Sequence, residues 1–119
     1  MQKRILILDD DEETLDLLTR MLHKKYEVIA ERTASKLMES LESHLPDLLI
    51  IDHFIGDENS RDVINEFRKN SNFHNIPVII HSAHEQIEQL AESIDAAGFI
   101  RKPSGIAEIR SYIFEKIGD

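Results

Sequence analysis

Five short apolar runs punctuate the chain at intervals of about 20 to 30 residues: Ile5–Leu8, Tyr26–Ala30, Leu48–Ile51, Val78–Ile80 and Phe99–Ile100. Most are rich in Ile, Leu and Val and show no polar alternation. Continuous runs of this kind predict strands buried on both faces, as in a parallel sheet, rather than strands with one wet face. The gaps between them carry helical periodicity. Leu15, Leu18 and Leu22 fall at i, i+3 and i+7, and Ala34, Leu37, Met38 and Leu41 at i, i+3, i+4 and i+7. Ile87, Leu90, Ala91 and Ile94 repeat that spacing, Ile106, Ile109 and Ile113 line one stripe, and Val63, Ile64 and Phe67 make a shorter one. Each stripe suits a helix packed on a sheet face.

The boundary residues agree. Asp11, Glu12 and Glu13 stand where the first helix begins, where negative charge suits the helix dipole, and Lys24 and Lys25 stand at its expected end. Thr33 and Ser60 are candidate N-caps. Pro46 separates the second helix from the third strand, and Pro77 opens the fourth strand, where a missing N–H is tolerated. Alternating β and α elements with right-handed crossovers predict an α/β domain: a (βα)5 flavodoxin-like three-layer sandwich on a five-stranded parallel sheet of order 2-1-3-4-5. No linker or low-complexity tract interrupts residues 1–119, which read as one domain.

Composition narrows the classes. A 119-residue domain buries roughly 65% of the surface its unfolded chain exposes, enough to fold without a staple. With no cysteine, thiolate–zinc sites and disulfides are excluded, which fits a reducing compartment. The net charge of −9, from 14 Lys plus Arg against 23 Asp plus Glu, repels nucleic-acid phosphates and argues against direct nucleic-acid binding. No apolar run approaches the ~20 residues of a membrane span. The start, with Lys3-Arg4 before Ile5 to Leu8, runs straight into Asp9-Asp10-Asp11 and is too short for the core of a secretion signal. The expected location is the cytoplasm, away from membranes.

Chemistry concentrates at strand ends. Asp9 and Asp10 close the first strand and Asp52 closes the third. Open parallel sheets bind ligands at the carboxyl ends of their strands where the strand order reverses, here between strands one and three. Neighbouring strands lie only ~4.8 Å apart, so the three carboxylates should converge. Two such charges about 4 Å apart repel by about 4 kcal/mol at an effective dielectric of 20. A cation or a shifted pKa must offset that, and an all-oxygen site suits Mg²⁺ beside a phosphate. Ser82, after the fourth strand, offers a hydroxyl, and Lys102, after the fifth, offers a compact cation. A carboxylate nucleophile, a metal, a hydroxyl and an ammonium together describe phosphoryl transfer to an aspartate. Taken singly, each residue has a plainer role: a helix cap, a turn aspartate or a solvated lysine. Their joint placement at four strand ends carries the functional reading.

The same segments resemble the receiver domain of bacterial response regulators over essentially the whole chain. Ile5-Leu6-Ile7-Leu8-Asp9-Asp10 resembles the family's first strand and acidic pair, and Pro46-Asp47-Leu48-Leu49-Ile50-Ile51-Asp52 the segment leading to its phosphoacceptor. Ile76-Pro77-Val78-Ile79-Ile80-His81-Ser82-Ala83 resembles the strand ending in the switch Ser/Thr, and Ala97-Gly98-Phe99-Ile100-Arg101-Lys102-Pro103 the strand with the switch aromatic and the Lys-Pro pair. The resemblance implies that Asp52 is the phosphoacceptor, that Asp9, Asp10, Asp52 and the backbone carbonyl of Phe54 hold Mg²⁺, and that Lys102 pairs with Asp52 or its phosphate. It further implies that Ser82 bonds the phosphoryl group and Phe99 then moves, reshaping the surface around the fourth helix, fifth strand and fifth helix. The Lys102–Pro103 bond is expected to be cis. Phe54 and His84 are expected to flank the path of the hydrolytic water and slow dephosphorylation.

The expected partners are a histidine kinase or histidine phosphotransfer protein and a downstream target or output domain. A homodimer through the last helices is neither required nor excluded. The chain departs from the family in the loop after Asp52, where Ile55-Gly56 and Asn59-Ser60 replace the frequent Met-Pro and later Gly, and in Ser104 after Lys-Pro. Two rivals remain at this level. A degenerate receiver that only binds proteins usually lacks a key acid or the lysine, and all are present here. A haloacid-dehalogenase-type phosphatase wants Asp-x-Asp-x-Thr/Val, which Asp9-Asp10-Asp11-Glu12-Glu13-Thr14 matches poorly. Six histidines offer no third metal ligand at regular spacing beside His81 and His84; His53 is either a local tuner or inert.

Overall fold

The apolar runs become strands β1 (Arg4–Leu8), β2 (Glu27–Glu31), β3 (Leu48–Ile51), β6 (Val78–Ser82) and β7 (Gly98–Arg101) in a computed structural model that describes residues 2–70 and 72–118. They form one parallel sheet of order β2-β1-β3-β6-β7, the expected 2-1-3-4-5. Register pairs Leu8 with Ile51, Ile51 with Ile80 and Ser82 with Arg101, so the carboxyl ends of β1, β3, β6 and β7 lie side by side. The last of the five apolar runs begins one residue inside its strand, and Tyr26 precedes β2, its N–H bonded to Leu22 O at 2.9 Å.

Both sheet faces are covered. Leu6, Leu8, Leu49, Ile51, Val78 and Ile80 pack under helices α2 (Leu37–His44), α3 (Ser60–Arg68) and α4 (Ile87–Ser93). The intervening Ile5, Ile7, Leu48, Ile50, Ile79 and Ile100 pack under α1 (Glu12–Leu22) and α5 (Ile106–Ile117). Successive strand side chains point to opposite faces. Covering both faces is therefore what makes the strands read as unbroken hydrophobic runs.

Local boundaries differ from expectation in three places. Helix α1 ends at Leu22, so Lys24 and Lys25 lie beyond its last turn, where Arg20 is the basic residue. Thr33 precedes a short 3-10 turn, Ala34–Lys36, leading into α2, but its side chain contacts Ser35 Oγ at 3.1 Å rather than capping. Ser60 is not the cap of α3. Asn59 is, its Oδ1 accepting the Arg61 N–H at 2.8 Å, while Ser60 is the first helical residue. The reason lies in the segment before it. Phe54–Ile55 (β4) and Glu58–Asn59 (β5) form a small antiparallel hairpin turned by Gly56 at φ 63°, a conformation that favours glycine. That hairpin delivers Asn59 in extended backbone, the conformation an N-cap needs.

Candidate functional site

The sheet register brings the sequence-predicted acids together. One carboxylate oxygen from each of Asp9, Asp10 and Asp52 lies within 4.8 Å of the others. Asp9, just past β1, is buried and accepts the Asp11 N–H at 2.9 Å. Asp52, just past β3, is tied to β1 through its N–H to Leu8 O at 3.1 Å, and its carboxylate accepts the His53 N–H at 2.7 Å. Asp10 is exposed and accepts the Gly56 N–H at 2.9 Å, which pins the β4–β5 hairpin to the acidic cluster.

Lys102 enters from the far strand. Its N–H bonds Ser82 O at 2.9 Å, extending the β6–β7 ladder by one step, and the cis Lys102–Pro103 peptide follows. Its ammonium reaches Asp9 Oδ2 at 3.0 Å and Asp52 Oδ2 at 3.4 Å. Burial raises the Asp52 carboxyl above the ordinary aspartate range; Lys102 opposes the rise and Asp9 adds to it. For Lys102, burial works downward but the attraction of Asp52 and Asp9 wins, and its pKa is raised. One ammonium among three carboxylates leaves the site short of positive charge. An oxygen-only donor set with excess negative charge fits a hard divalent cation such as Mg²⁺.

Ser82 is the last residue of β6 and is buried; its Oγ accepts the His84 N–H at 3.1 Å and makes no bond to the acids. Phe99 in β7 is half-buried against the core under α2, α3 and α4. Its N–H donates to the Tyr112 hydroxyl at 3.0 Å, a contact from α5 with no signal in the sequence. Gly98 makes room for it, because a Cβ there would sit 1.8 Å from that hydroxyl.

The histidines separate. His53 stands between Phe54 and His84, with ring centroids 4.3 and 4.7 Å away. Burial, then the nearby His84 and Arg61, lowers its pKa. His81 is buried on the other side of the sheet, beside Leu17, Met21 and Ile109, and burial holds its imidazole down at about 4. His81 and His84 thus line different grooves and are not a metal-binding pair.

The surroundings of known proteins agree. Solved structures that the chain resembles include the chemotaxis protein CheY4 of Vibrio cholerae, with a TM-score of 0.89 at 15% identity over 98% of this chain and 99% of that one. A CheY-like receiver domain protein from Methanospirillum hungatei gives 0.87 at 24% identity over 98% and 94%. Both share the fold. Among curated relatives, the transcriptional regulatory protein KdpE of Staphylococcus aureus is 28% identical over 116 residues, covering 95% of this chain and 49% of that protein. The chain spans half or less of the length of the curated relatives it matches. The model of the response regulator receiver domain matches residues 5–114, and the chain therefore belongs to that family of two-component signalling domains.

Proposed function

We propose that residues 1–119 act as one phosphoacceptor receiver, taking a phosphoryl group onto Asp52. The convergence of Asp9, Asp10 and Asp52 within 4.8 Å, with the Lys102 ammonium reaching two of them, carries this reading. Asp9, Asp10, Asp52 and the backbone carbonyl of Phe54 would hold Mg²⁺. Bound there, the ion supplies positive charge to the phosphoryl oxygens.

Asp52 attacks the phosphorus of a phosphohistidine on a histidine kinase or phosphotransfer protein. An O–P bond forms to the carboxylate as the P–N bond breaks, and the freed imidazole takes up a proton. Lys102 neutralises charge on Asp52 and on the arriving phosphoryl group. Ser82 then leaves His84 N–H for a phosphoryl oxygen, and Phe99 follows into the vacated space. That shift changes the face formed by α4, β7 and α5, which a downstream protein or output domain reads. The phosphoryl group moves this balance only through contacts that differ between the two states. The chain promotes its own phosphorylation, but its role is that of a cytoplasmic signalling module rather than an enzyme with a released product. Phe54 and His84 crowd the approach of water and make the phosphoryl group long-lived.

The test is phosphorylation by a small phosphodonor with Mg²⁺. The wild-type chain should gain one acyl phosphate, released by base and by hydroxylamine, and Asp52→Asn none. Labelling of Asp52→Asn at the wild-type rate overturns the assignment. A wild-type chain with neither Mg²⁺ affinity nor phosphodonor reactivity is instead a binding module on the receiver fold.

A further inference from the structure

A second feature lies on the flank formed by α2 and α3, away from the face that phosphorylation is proposed to change. The edges of Leu37, Met38, Val63 and Phe67 floor a groove of about 260 Å³ between the two helices. Its wall is acidic: Glu58 of β5 and Asp62 and Glu66 of α3 line it, and no basic residue does. Asp62 and Glu66 are one helical turn apart, and like charges at that spacing destabilise a helix. Glu66 also sits in the C-terminal half of α3, the wrong end of the helix dipole for an anion. Lys69 answers Glu66 at 3.3 Å, but Glu58 and Asp62 have no ion-pair partner among the described residues. The groove adjoins a wider depression through Ala34 and Glu58, which adds Asp10 and Asp57 together with Arg32 and so runs toward the phosphoacceptor cluster. Neither the proposed phosphoryl transfer nor the fold requires this acidic edge.

We infer that the α2–α3 groove is a docking surface for a basic amphipathic helix of a partner protein. Its apolar stripe would fill the floor, where the flexible thioether of Met38 adapts to the side chain presented, and its lysines or arginines would face Glu58, Asp62 and Glu66. The charge of the wall selects this occupant: nucleic acid and anionic lipid are repelled by it. The inference does not depend on phosphorylation of Asp52.

A synthetic Leu/Lys helix, leucines on one stripe and lysines flanking it, serves as the probe, titrated into the isotope-labelled chain. Backbone amide shifts should concentrate on Ala34, Met38, Val63 and Glu66. Asp62→Lys/Glu66→Lys and, separately, Met38→Gln should each weaken binding at least tenfold. These exposed or half-exposed positions should leave Asp52 phosphorylation at the wild-type rate. A scrambled peptide of the same composition, without the leucine stripe, should bind at least tenfold more weakly. Equal binding of the scrambled peptide would reduce the effect to bulk charge and overturn the inference. So would shifts centred on α1 and α5, unchanged affinity in the charge-reversed variant, or concentration-dependent shifts at the groove without peptide, which would give the surface to a second copy of the chain.

Discussion

The Lys102 ammonium stands closer to Asp9, at 3.0 Å, than to Asp52, at 3.4 Å, although sequence resemblance pairs it with Asp52. Asp9 is the most buried of the acids and offers its Oδ2 to Lys102 and its Oδ1 to Asp11 N–H. Asp52 is left with the weaker share of the one cation, and its carboxyl titrates high because burial dominates. A group whose folded pKa is raised contributes stability that is present below its unfolded pKa, near 3.8, and is lost as pH rises through the folded value. Asp52→Asn should therefore raise the metal-free unfolding midpoint in urea at pH 7, with the gain vanishing near pH 3.5. No gain at pH 7 would show that Lys102 already balances Asp52.

Removing the cation should do the reverse. In Lys102→Met, a buried Asp9 and a part-buried Asp52 face each other with no ammonium. Leaving charge uncompensated in this way costs about 3 kcal/mol, the low end of the range for breaking a buried pair, because Lys102 and Asp52 keep some solvent contact. Urea unfolding at pH 7 measures the loss. Millimolar Mg²⁺ should recover part of it, whereas a loss insensitive to Mg²⁺ would point to packing alone.

His81 predicts a separate acid sensitivity. Its imidazole is 6% exposed and holds a pKa of about 4 against an ordinary 6.5. Its neutral form is favoured on folding, so the associated stability is complete above pH 6.5 and drains as pH falls toward 4. The linkage relation puts the loss at about 2 kcal/mol between pH 7 and pH 5. His81→Phe should flatten that part of the stability profile relative to wild type; an unchanged slope over this window would assign the sensitivity to other groups.

The Gly98–Tyr112 contact predicts a coupling of unusual sign. A Cβ on Gly98 meets the Tyr112 hydroxyl at 1.8 Å and its ring carbon at 2.9 Å. Gly98→Ala must push the ring aside and break its bond to Phe99 N–H, costing about 1–3 kcal/mol as overpacking. In a Tyr112→Ala background the same substitution should cost almost nothing. A double-mutant cycle reads the difference directly, and additive effects would mean that the ring moves freely.

Asn59 and Ser60 should respond in opposite ways. Asn59→Ala removes the cap of α3 and should lower stability by about 1 kcal/mol. Ser60 is buried and its Oγ has no hydrogen-bond partner, so Ser60→Ala should be neutral or stabilising. Thermal unfolding of the two variants separates them, and a larger loss for Ser60→Ala would return the cap to Ser60.

What the chain determined by itself is one-dimensional. Unbroken Ile, Leu and Val runs are a local consequence of burial on both sheet faces, so Ile5–Leu8 or Leu48–Ile51 can be recognised as strands without their neighbours. Asp9, Asp10, Asp52, Ser82 and Lys102 follow or close those runs, and the parallel order alone brings them to one edge of the sheet. Tertiary structure decided the rest. Which acid lies nearer Lys102 depends on side chains 93 residues apart meeting across two intervening strands. The Tyr112–Phe99 bond depends on where α5 crosses an edge strand, and the hairpin that makes Asn59 the cap of α3 depends on the anchoring of Gly56 to Asp10. Such pairings arise from packing angles and register, which no local window of residues encodes, because a contact between distant side chains forms only after the crossovers have placed both.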